Sequence, residues 1–326
     1  MKKYFPYISG VILFIFVLIA LSVGATQIEN FWSALAHPGS NEILWQIRIP
    51  RVAAAVLVGA ALGIAGLMAQ GACNNALAEP AILGTSAGAS FGAVLAILLG
   101  VVQVGSIGAV ICGALGALCA TSLTFRLASL RSNLSSFALI IVGIAVSAII
   151  TAVVGLASTM VTRADARSIS FWNFGSLSLI TNNNVAALGS VLLIGAGLAW
   201  KVAPTLDLLS LGDATAFHLG VNTRKARMLA LVALSILAGG AVSTVGTIAF
   251  LGLAAPHIAR FIYGPAHRFL IIQSALIGAT LLVAADTAAR TIAAPNELPI
   301  GLVTSLIGAP ILIALVSMRN TIWKTP

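Results

Sequence analysis

Runs of about 20 apolar residues, broken by short stretches that hold charges, Pro or Asn, recur along the chain and limit its fold more than any other feature. Ten are read, at approximately 7–25, 52–71, 82–101, 104–125, 135–158, 185–203, 228–246, 249–262, 269–289 and 299–317. Helices of that length span the hydrocarbon of a bilayer. The eighth run is too short for an ordinary crossing and contains Pro256, so it is predicted as a kinked or partial helix enclosed by protein, where freed backbone groups find partners. Composition agrees: 60% of the 326 residues are hydrophobic and 8% are charged, with mean hydropathy +1.08. A soluble domain carries roughly 25% charged residues. The expected fold class is all-α, a polytopic membrane protein with about ten transmembrane helices, in a single domain over residues 1–326.

The formal charge of +9 does not indicate nucleic acid, because the basic residues are scattered between apolar runs instead of clustering on one face. Their placement indicates orientation. If Lys2 and Lys3 are cytoplasmic and the ends alternate, the inside also collects Arg126, Arg131, Lys201, Arg224, Lys225, Arg227, Arg260, Arg268, Arg319 and Lys324, 12 of the 17 cations. The outside holds Arg48, Arg51, Arg163, Arg167 and Arg290. Both termini are expected in the cytoplasm, with the chain in a bacterial cytoplasmic (inner) membrane. A rival reading makes the first run a cleavable signal peptide ending at Val23-Gly24-Ala25. That would leave the later helices oriented as before.

Cys73, Cys112 and Cys119 fall in or beside apolar runs without a CxxC spacing, so they read as small core residues and not as redox or metal groups. The chain carries no GxxxxGK[ST], HExxH or GxSxG motif and no cluster of His with carboxylates. It is expected to be no enzyme and to hold no cofactor or metal. A membrane-embedded enzyme would need a polar cluster in the bilayer, and Asp286, Arg290 and His257 are dispersed. A proton- or sodium-coupled carrier stays open as an alternative, although such carriers place ionisable residues well inside their helices, and here the interior is almost bare of charge.

Residues 204–227 interrupt this pattern with Asp207, Asp213, His218, Arg224, Lys225 and Arg227. Each charge would cost about 2.5–3.5 kcal/mol at a bilayer centre, so the segment is not a span. Leu208, Leu209, Leu211, Ala214, Phe217, His218 and Val221 fall at helical spacing, and Gly212 and Gly220 stand where short helices would end. Two short amphipathic helices on the inner surface are expected, either resting on lipid headgroups or docking a soluble partner.

Among the glycines, Gly59 and Gly63, then Gly84, Gly88 and Gly92, stand four residues apart, a spacing that lets helix backbones approach closely in lipid. Asp286 and Arg290 at i and i+4 read as a structural ion pair. His257 reads as a satisfied polar side chain inside protein before it reads as a ligand or relay. The hexapeptides LAEPAI (77–82) and LAAPHI (253–258) share LAxPxI, a faint sign of internal duplication.

Several stretches together resemble one family: the permease subunits of ABC importers for iron-siderophore chelates, haem and cobalamin, of the FecCD type. They are WQIRIPRVAAAVLVGAALGIAGLMAQ (45–70), NNALAEPAILGTSAGASFGA (74–93), LLSLGDATAFHLGV (208–221), IAFLGLAAPHIAR (248–260), LLVAADTAAR (281–290) and ELPIGLVTSLIGAP (297–310). They stand in the family's order and spacing from about residue 45 onward. One departure is Asn75-Ala76-Leu77-Ala78, where the family usually has Asn-Pro-Leu-Ala, which relaxes the backbone before the missing proline.

The resemblance implies the type II ABC importer permease fold, with ten helices per subunit and two permease subunits, either two copies or two related chains, around one path. It implies a cytoplasmic ABC ATPase dimer that holds ATP and Mg, a periplasmic or lipid-anchored substrate-binding protein, and membrane lipid around the whole. Carried over residue by residue, it makes 204–227 the coupling segment, with Leu211, Gly212, Asp213, Ala216, Leu219 and Gly220 meeting the ATPase. Arg48, Arg51 and Arg290 would receive acidic side chains of the binding protein; Arg48 and Arg51, flanking Ile49-Pro50, also suit a headgroup anchor. Asn75 and Leu77, with Ser135 and Ser136, would form the cytoplasmic gate, and either serine also suits a helix N-cap. The implied function is import of a metal chelate, iron-siderophore or haem before cobalamin, by ATP-driven alternating access. A path of Ala, Gly, Val, Leu and Ser would hold a large chelate weakly, and it lacks the ligands a bare metal ion needs.

Overall fold

The computed structural model describes residues 5–24, 26, 28, 30–102, 106–130, 135–159 and 173–322. Every one of the ten apolar runs forms a helix. In chain order these are α1 (Phe5–Ser22), α3 (Ile49–Cys73), α4 (Thr85–Leu98), α5 (Ile107–Ala128), α6 (Ser136–Thr159), α7 (Asn182–Leu209), α9 (Thr223–Val245), α10 (Leu251–Tyr263), α11 (His267–Thr291) and α12 (Ile300–Ile322). Two short helices complete the set among the described residues, α2 (Phe31–Ala36) and α8 (Asp213–His218). A π-helical turn, Ile43–Arg48, runs into α3, and a 3-10 turn, Pro80–Leu83, precedes α4. No strand occurs among the described residues. Among the described residues, six segments are long and apolar enough to cross a membrane: Ile43–Cys73, α5, α6, α7, α9 and α11.

Burial divides the helices by role. The span Ile43–Cys73 is 83% buried and that of α9 is 72% buried, whereas α6 and α7 are each 22% buried. The first two form the centre of the bundle, and the outer pair turns side chains such as Ile149 and Leu193 outward. Lipid tails are as apolar as leucine, so helices here gain little from burying grease and associate through close packing. The glycine spacing supplies that packing. A β-carbon on Gly59 would sit 2.5 Å from the Gly278 carbonyl oxygen of α11, and one on Gly88 would sit 2.5 Å from the Gly116 carbonyl oxygen of α5. Gly84 does not share this role. Its φ of 89° makes it the turn that starts α4, which therefore begins at Thr85, later than the expected 82.

The eighth run is the expected partial helix, 13 residues long, and it runs through Pro256 without stopping. Proline lacks the N–H that would bond the Gly252 carbonyl. That oxygen packs against α3 at Gly66, where a β-carbon would overlap it. The freed carbonyl is thus enclosed by protein, and only glycine admits the approach.

The bundle has an Arg51 end, where α3 starts, and an Asn74 end, where it stops. α1 joins both: Ser9 bonds Tyr263 at 2.5 Å and Gln273 at 3.0 Å, and its last turn meets Arg48 and Arg290. α12 leaves the Arg51 end, where the Ile300 N–H donates to the Gly175 carbonyl. Hence α1 begins, and α12 finishes, at the Asn74 end. The core assignment of the cysteines holds for Cys73, which is buried; Cys119 faces out of the bundle on α5.

Candidate functional site

The polar segment 204–227 caps the Asn74 end. The two short helices expected there reduce to one, because α7 continues through Pro204 to Leu209, burying Leu206 and Leu209, and residues from Thr223 on already belong to α9. What remains outside the spans is α8, six residues long, preceded by Gly212 at φ 99°. Its end is fixed at Gly220, φ 82°, where Val221 N–H donates to the Ala216 carbonyl (3.0 Å) and Gly220 N–H to that of Phe217 (2.9 Å). This is the paired-bond helix stop that favours glycine. Asn222 then caps α9 through Lys225 N–H at 2.9 Å.

Of the residues assigned to ATPase contact, Leu211, Asp213, Leu219 and Gly220 are exposed, Gly212 is half-buried, and Ala216 is fully buried beneath the helix. Phe217, at 71% exposure, is the largest apolar side chain on this helix, and the resemblance had assigned it no role. Leu211, Phe217 and Leu219 thus face outward on an element that cannot lie in the hydrocarbon.

Below α8 lies Arg227 of α9, 1% exposed. Its Nη2 donates to Asp213 Oδ1 at 2.9 Å and its Nη1 to Oδ2 at 3.1 Å, a two-pronged ion pair. The same guanidinium donates from Nε to the Ala72 carbonyl of α3 (3.0 Å) and from Nη2 to Ser136 Oγ of α6 (3.1 Å). Two further ties hold the last turn of α3. Arg260 of α10 donates to Gln70 Oε1 at 2.9 Å, and His267, which pairs with Asp207 at 2.7 Å, abuts Gly71.

The turn after α3 is well formed despite the missing proline. Ala78 N–H donates to the Asn75 carbonyl at 3.1 Å, and Leu77 N–H donates to Asn75 Oδ1 at 2.9 Å. Asn75 stands at the first position of this β-turn and Ala76 at the second, the place a turn favours for proline. Leu77 is half exposed at its tip. Burial pushes the Glu79 carboxyl up, opposed by a hydrogen bond from the Phe250 backbone that ties this turn to the start of α10. Ser135 takes the N-cap role, its Oγ accepting from Ala138 N–H at 3.1 Å, and Ser136 faces Arg227 instead. Asn75, Leu77 and the two serines therefore share one end of the bundle with α8.

At the Arg51 end, the three arginines assigned to docking come together, turned inward. Arg48, Arg51 and Arg290 are 3%, 6% and 6% exposed. Arg48 donates to the carbonyls of Leu21 (2.8 Å), Ser22 (2.9 Å) and Thr26, closing the open end of α1. Arg51 pairs with Asp286 at 2.9 Å and Glu297 at 2.7 Å. Arg290 lies 3.6 Å from Asp286 and donates to the Ala20 carbonyl. The i,i+4 pair is present, but Arg51 is the closer partner of Asp286. In this arrangement none of the three arginines presents a free guanidinium to the surface.

Sequence reasoning missed Arg227 as a hub, Phe217 as the exposed tip of α8, and Glu297. Arg227 stands fifth in α9 behind Arg224 and Lys225, so the sequence shows one basic run, and nothing in it marks Arg227 as the buried member that must be paired. Among the described residues, the buried charged side chains (Arg48, Arg51, Arg227, Asp286 and Arg290) all lie within two turns of a span's end, and no three His, Cys, Asp or Glu side chains gather as a metal site. His257 is half-buried on α10. Arg131, Arg163 and Arg167, like Lys2, Lys3 and Lys324, lie outside the described residues.

The profile of the FecCD transport family matches residues 12–318. The chain is 37% identical to the iron(3+)-hydroxamate import system permease protein FhuB of Bacillus subtilis, covering 86% of this chain and 74% of that one. It is 36% identical to the hemin transport system permease protein HmuU of Yersinia pestis, covering 89% of each. To the vitamin B12 import system permease protein BtuC of Escherichia coli it is 35% identical, over 89% of this chain and 87% of that one. A solved structure of an inward-facing conformation of a metal-chelate type ABC transporter superposes with a TM-score of 0.85 at 29% identity, covering 97% of this chain and 99% of that one. With these motifs, ten apolar helices and a capped polar end, the chain is a multi-pass membrane permease that belongs to the FecCD transport family.

Proposed function

We propose that this chain is the translocation subunit of an ATP-driven importer that moves a metal chelate from an external binding protein into the cytoplasm, working with a second permease subunit and a separate ATPase dimer that holds ATP and Mg. Iron-siderophore and haem are the first reading of the cargo, in keeping with the similarity to FhuB and HmuU. Cobalamin is the second, in keeping with the similarity to BtuC. The observation that carries the proposal is α8 with its flanking turns, which lie outside the spans and expose Leu211, Phe217 and Leu219 while Asp213 is bonded to the transmembrane bundle. Such a surface suits the cleft of a soluble partner better than water.

The mechanism is alternating access, and its bias must come from nucleotide. A ligand shifts a two-state equilibrium only by its differential affinity, and moving it from 1:99 to 99:1 takes about 5.5 kcal/mol. Closure of the ATPase pair would move α8, and the turn at Asn75 and Leu77 with the start of α6 would open or shut the inner mouth. On the outer side, a carboxylate of the binding protein would reach Arg51 by displacing Glu297, whose side chain is 38% exposed, whereas Asp286 at 1% would stay in place. Arg48 and Arg290 would answer docking through their bonds to the end of α1.

The test is reconstitution in liposomes with the candidate ATPase and binding protein, following uptake of radiolabelled ferric hydroxamate, haem and cobalamin. ATP-dependent uptake of one chelate, lost in Gly212→Trp while the protein stays folded, is the expected result. Uptake that persists without the ATPase would replace the importer with a secondary carrier.

A further inference from the structure

Among the described residues, Arg227 is the one guanidinium that touches three separate elements at the Asn74 end. It bonds the first residue of α8 through Asp213, the last turn of α3 through the Ala72 carbonyl, and the first residue of α6 through Ser136. Ser136 is itself a proposed gate residue, Ala72 stands three residues before Asn75 in the helix that leads into the gate turn, and Asp213 belongs to the proposed docking helix. The charge is almost fully enclosed, while the Asp213 side chain is half exposed on the surface that α8 offers to a partner.

The chemistry of the group decides what such a junction does. A guanidinium is planar and presents its five N–H donors in a rigid fork, so a carboxylate held by two prongs sets the plane in which the other donors point. A displacement of Asp213 therefore cannot be absorbed by a flexible stem; it reorients the bonds to Ala72 and Ser136 as well. Stability alone does not require this arrangement, because well-packed apolar side chains in place of a buried ion pair are often neutral or stabilising.

Resting on the importer reading, we infer that Arg227 is the positioning residue that carries motion of the coupling helix to the gate: it converts a shift of Asp213 into a shift of the ends of α3 and α6. Its loss should leave assembly intact and uncouple ATP hydrolysis from transport.

The experiment compares wild type with Arg227→Lys, Arg227→Gln, Asp213→Asn and Ser136→Ala in liposomes carrying the ATPase and binding protein. Chelate taken up per ATP hydrolysed is read together with ATPase co-purification and the thermal midpoint in detergent. For Arg227→Lys, ATPase retention should be unchanged and uptake per ATP should fall roughly tenfold, within the 5- to 150-fold span of ordinary coupling energies; for Asp213→Asn, whose side chain also faces the ATPase, uptake is read only per ATP hydrolysed and should fall by a similar factor. Lysine should fail to rescue because it keeps the charge and loses the fork. The double variant Asp213→Asn/Arg227→Gln should lose no more than either single change, the sign of one shared interaction. Ser136→Ala removes one hydroxyl and leaves no buried charge unpaired, so it reads coupling even where an Arg227 variant folds poorly; it should lower uptake per ATP by a smaller factor. Unchanged uptake per ATP in Asp213→Asn and Ser136→Ala would overturn the role, as would losses that follow ATPase retention in parallel. A wild type with no ATP-dependent uptake would instead overturn the importer reading, and this role with it.

Discussion

Arg51 and Arg227 are enclosed at opposite ends of the bundle, and in each case the exposure of the partner decides what the pair contributes. Arg51 shares Asp286, itself 1% exposed, with Arg290, so Asp286→Asn would leave two buried cations facing a neutral amide. Breaking a buried pair on one side costs about 3–5 kcal/mol, and we expect Asp286→Asn to lower the thermal midpoint in detergent accordingly. Glu297→Gln removes the half-exposed partner and should cost about 0–1 kcal/mol, as surface pairs do. Equal losses for both substitutions would show that the two carboxylates share the load. The sequence displayed the Asp286–Arg290 spacing because it lies on one helix; the shorter Arg51 contact spans 235 positions, and no local pattern reveals it. The gate turn gives a residue-scale prediction of opposite sign. Ala76 N–H enters no hydrogen bond among the described residues, and it occupies the turn position suited to proline, so Ala76→Pro should raise stability by about 0.4–1 kcal/mol through the unfolded chain. A fall in the thermal midpoint would mean the turn needs the freedom that alanine leaves it.

At the scale of elements, the glycine spacing was legible and its partners were not. Gly63 packs on the Ser274 carbonyl of α11, and Gly88 and Gly116 face each other between α4 and α5, contacts that no sequence period identifies. Gly84 keeps the same spacing, yet it serves a turn, because period alone does not distinguish a packing face from a positive φ. The shared LAxPxI motif divides in the same way: Pro80 opens a 3-10 turn, whereas Pro256 sits inside α10. Identical letters take different backbones: Pro80 follows an extended Glu79, whereas the carbonyl that Pro256 frees is enclosed against Gly66. We expect Gly63→Leu to destabilise the bundle by about 1–3 kcal/mol or more through overpacking. Gly189 of α7, with nothing within 4 Å of a β-carbon, is the control. Gly189→Leu should be neutral or stabilise by up to about 1 kcal/mol, the helix penalty that glycine carries. Thermal unfolding of both variants in one detergent decides it, and similar losses for the two would place α7 against a surface that the single chain does not contain.

For the whole molecule, hydropathy alone revealed ten helices, because each is a continuous apolar run bounded by polar or turn residues, but it did not reveal which of them lie at the centre. Orientation rests on charge. α1 begins and α12 finishes at the Asn74 end, so the chain leaves the membrane on the side where it entered, whichever side that is. The Asn74 end collects Arg126, Lys201, Arg224, Lys225, Arg227, Arg260 and Arg268, against Arg48, Arg51 and Arg290 at the other end. Lys and Arg near span ends are retained in the cytoplasm, and Asp and Glu count for little in that rule, so the pairing of Arg51 with two carboxylates does not weaken the contrast. The Asn74 end should therefore face the cytoplasm, placing α8 where ATP is and the cluster of Arg48, Arg51 and Arg290 outside. In a background with Cys73, Cys112 and Cys119 replaced by Ala, single cysteines at His37 and Ala266 test this, because both positions are exposed in connections at opposite ends. A charged, membrane-impermeant maleimide added to intact spheroplasts should label His37→Cys at once and Ala266→Cys only after permeabilisation. The reverse pattern would turn the molecule over, put α8 outside the cell beyond reach of any ATPase, and leave ATP-driven import without a point of attachment.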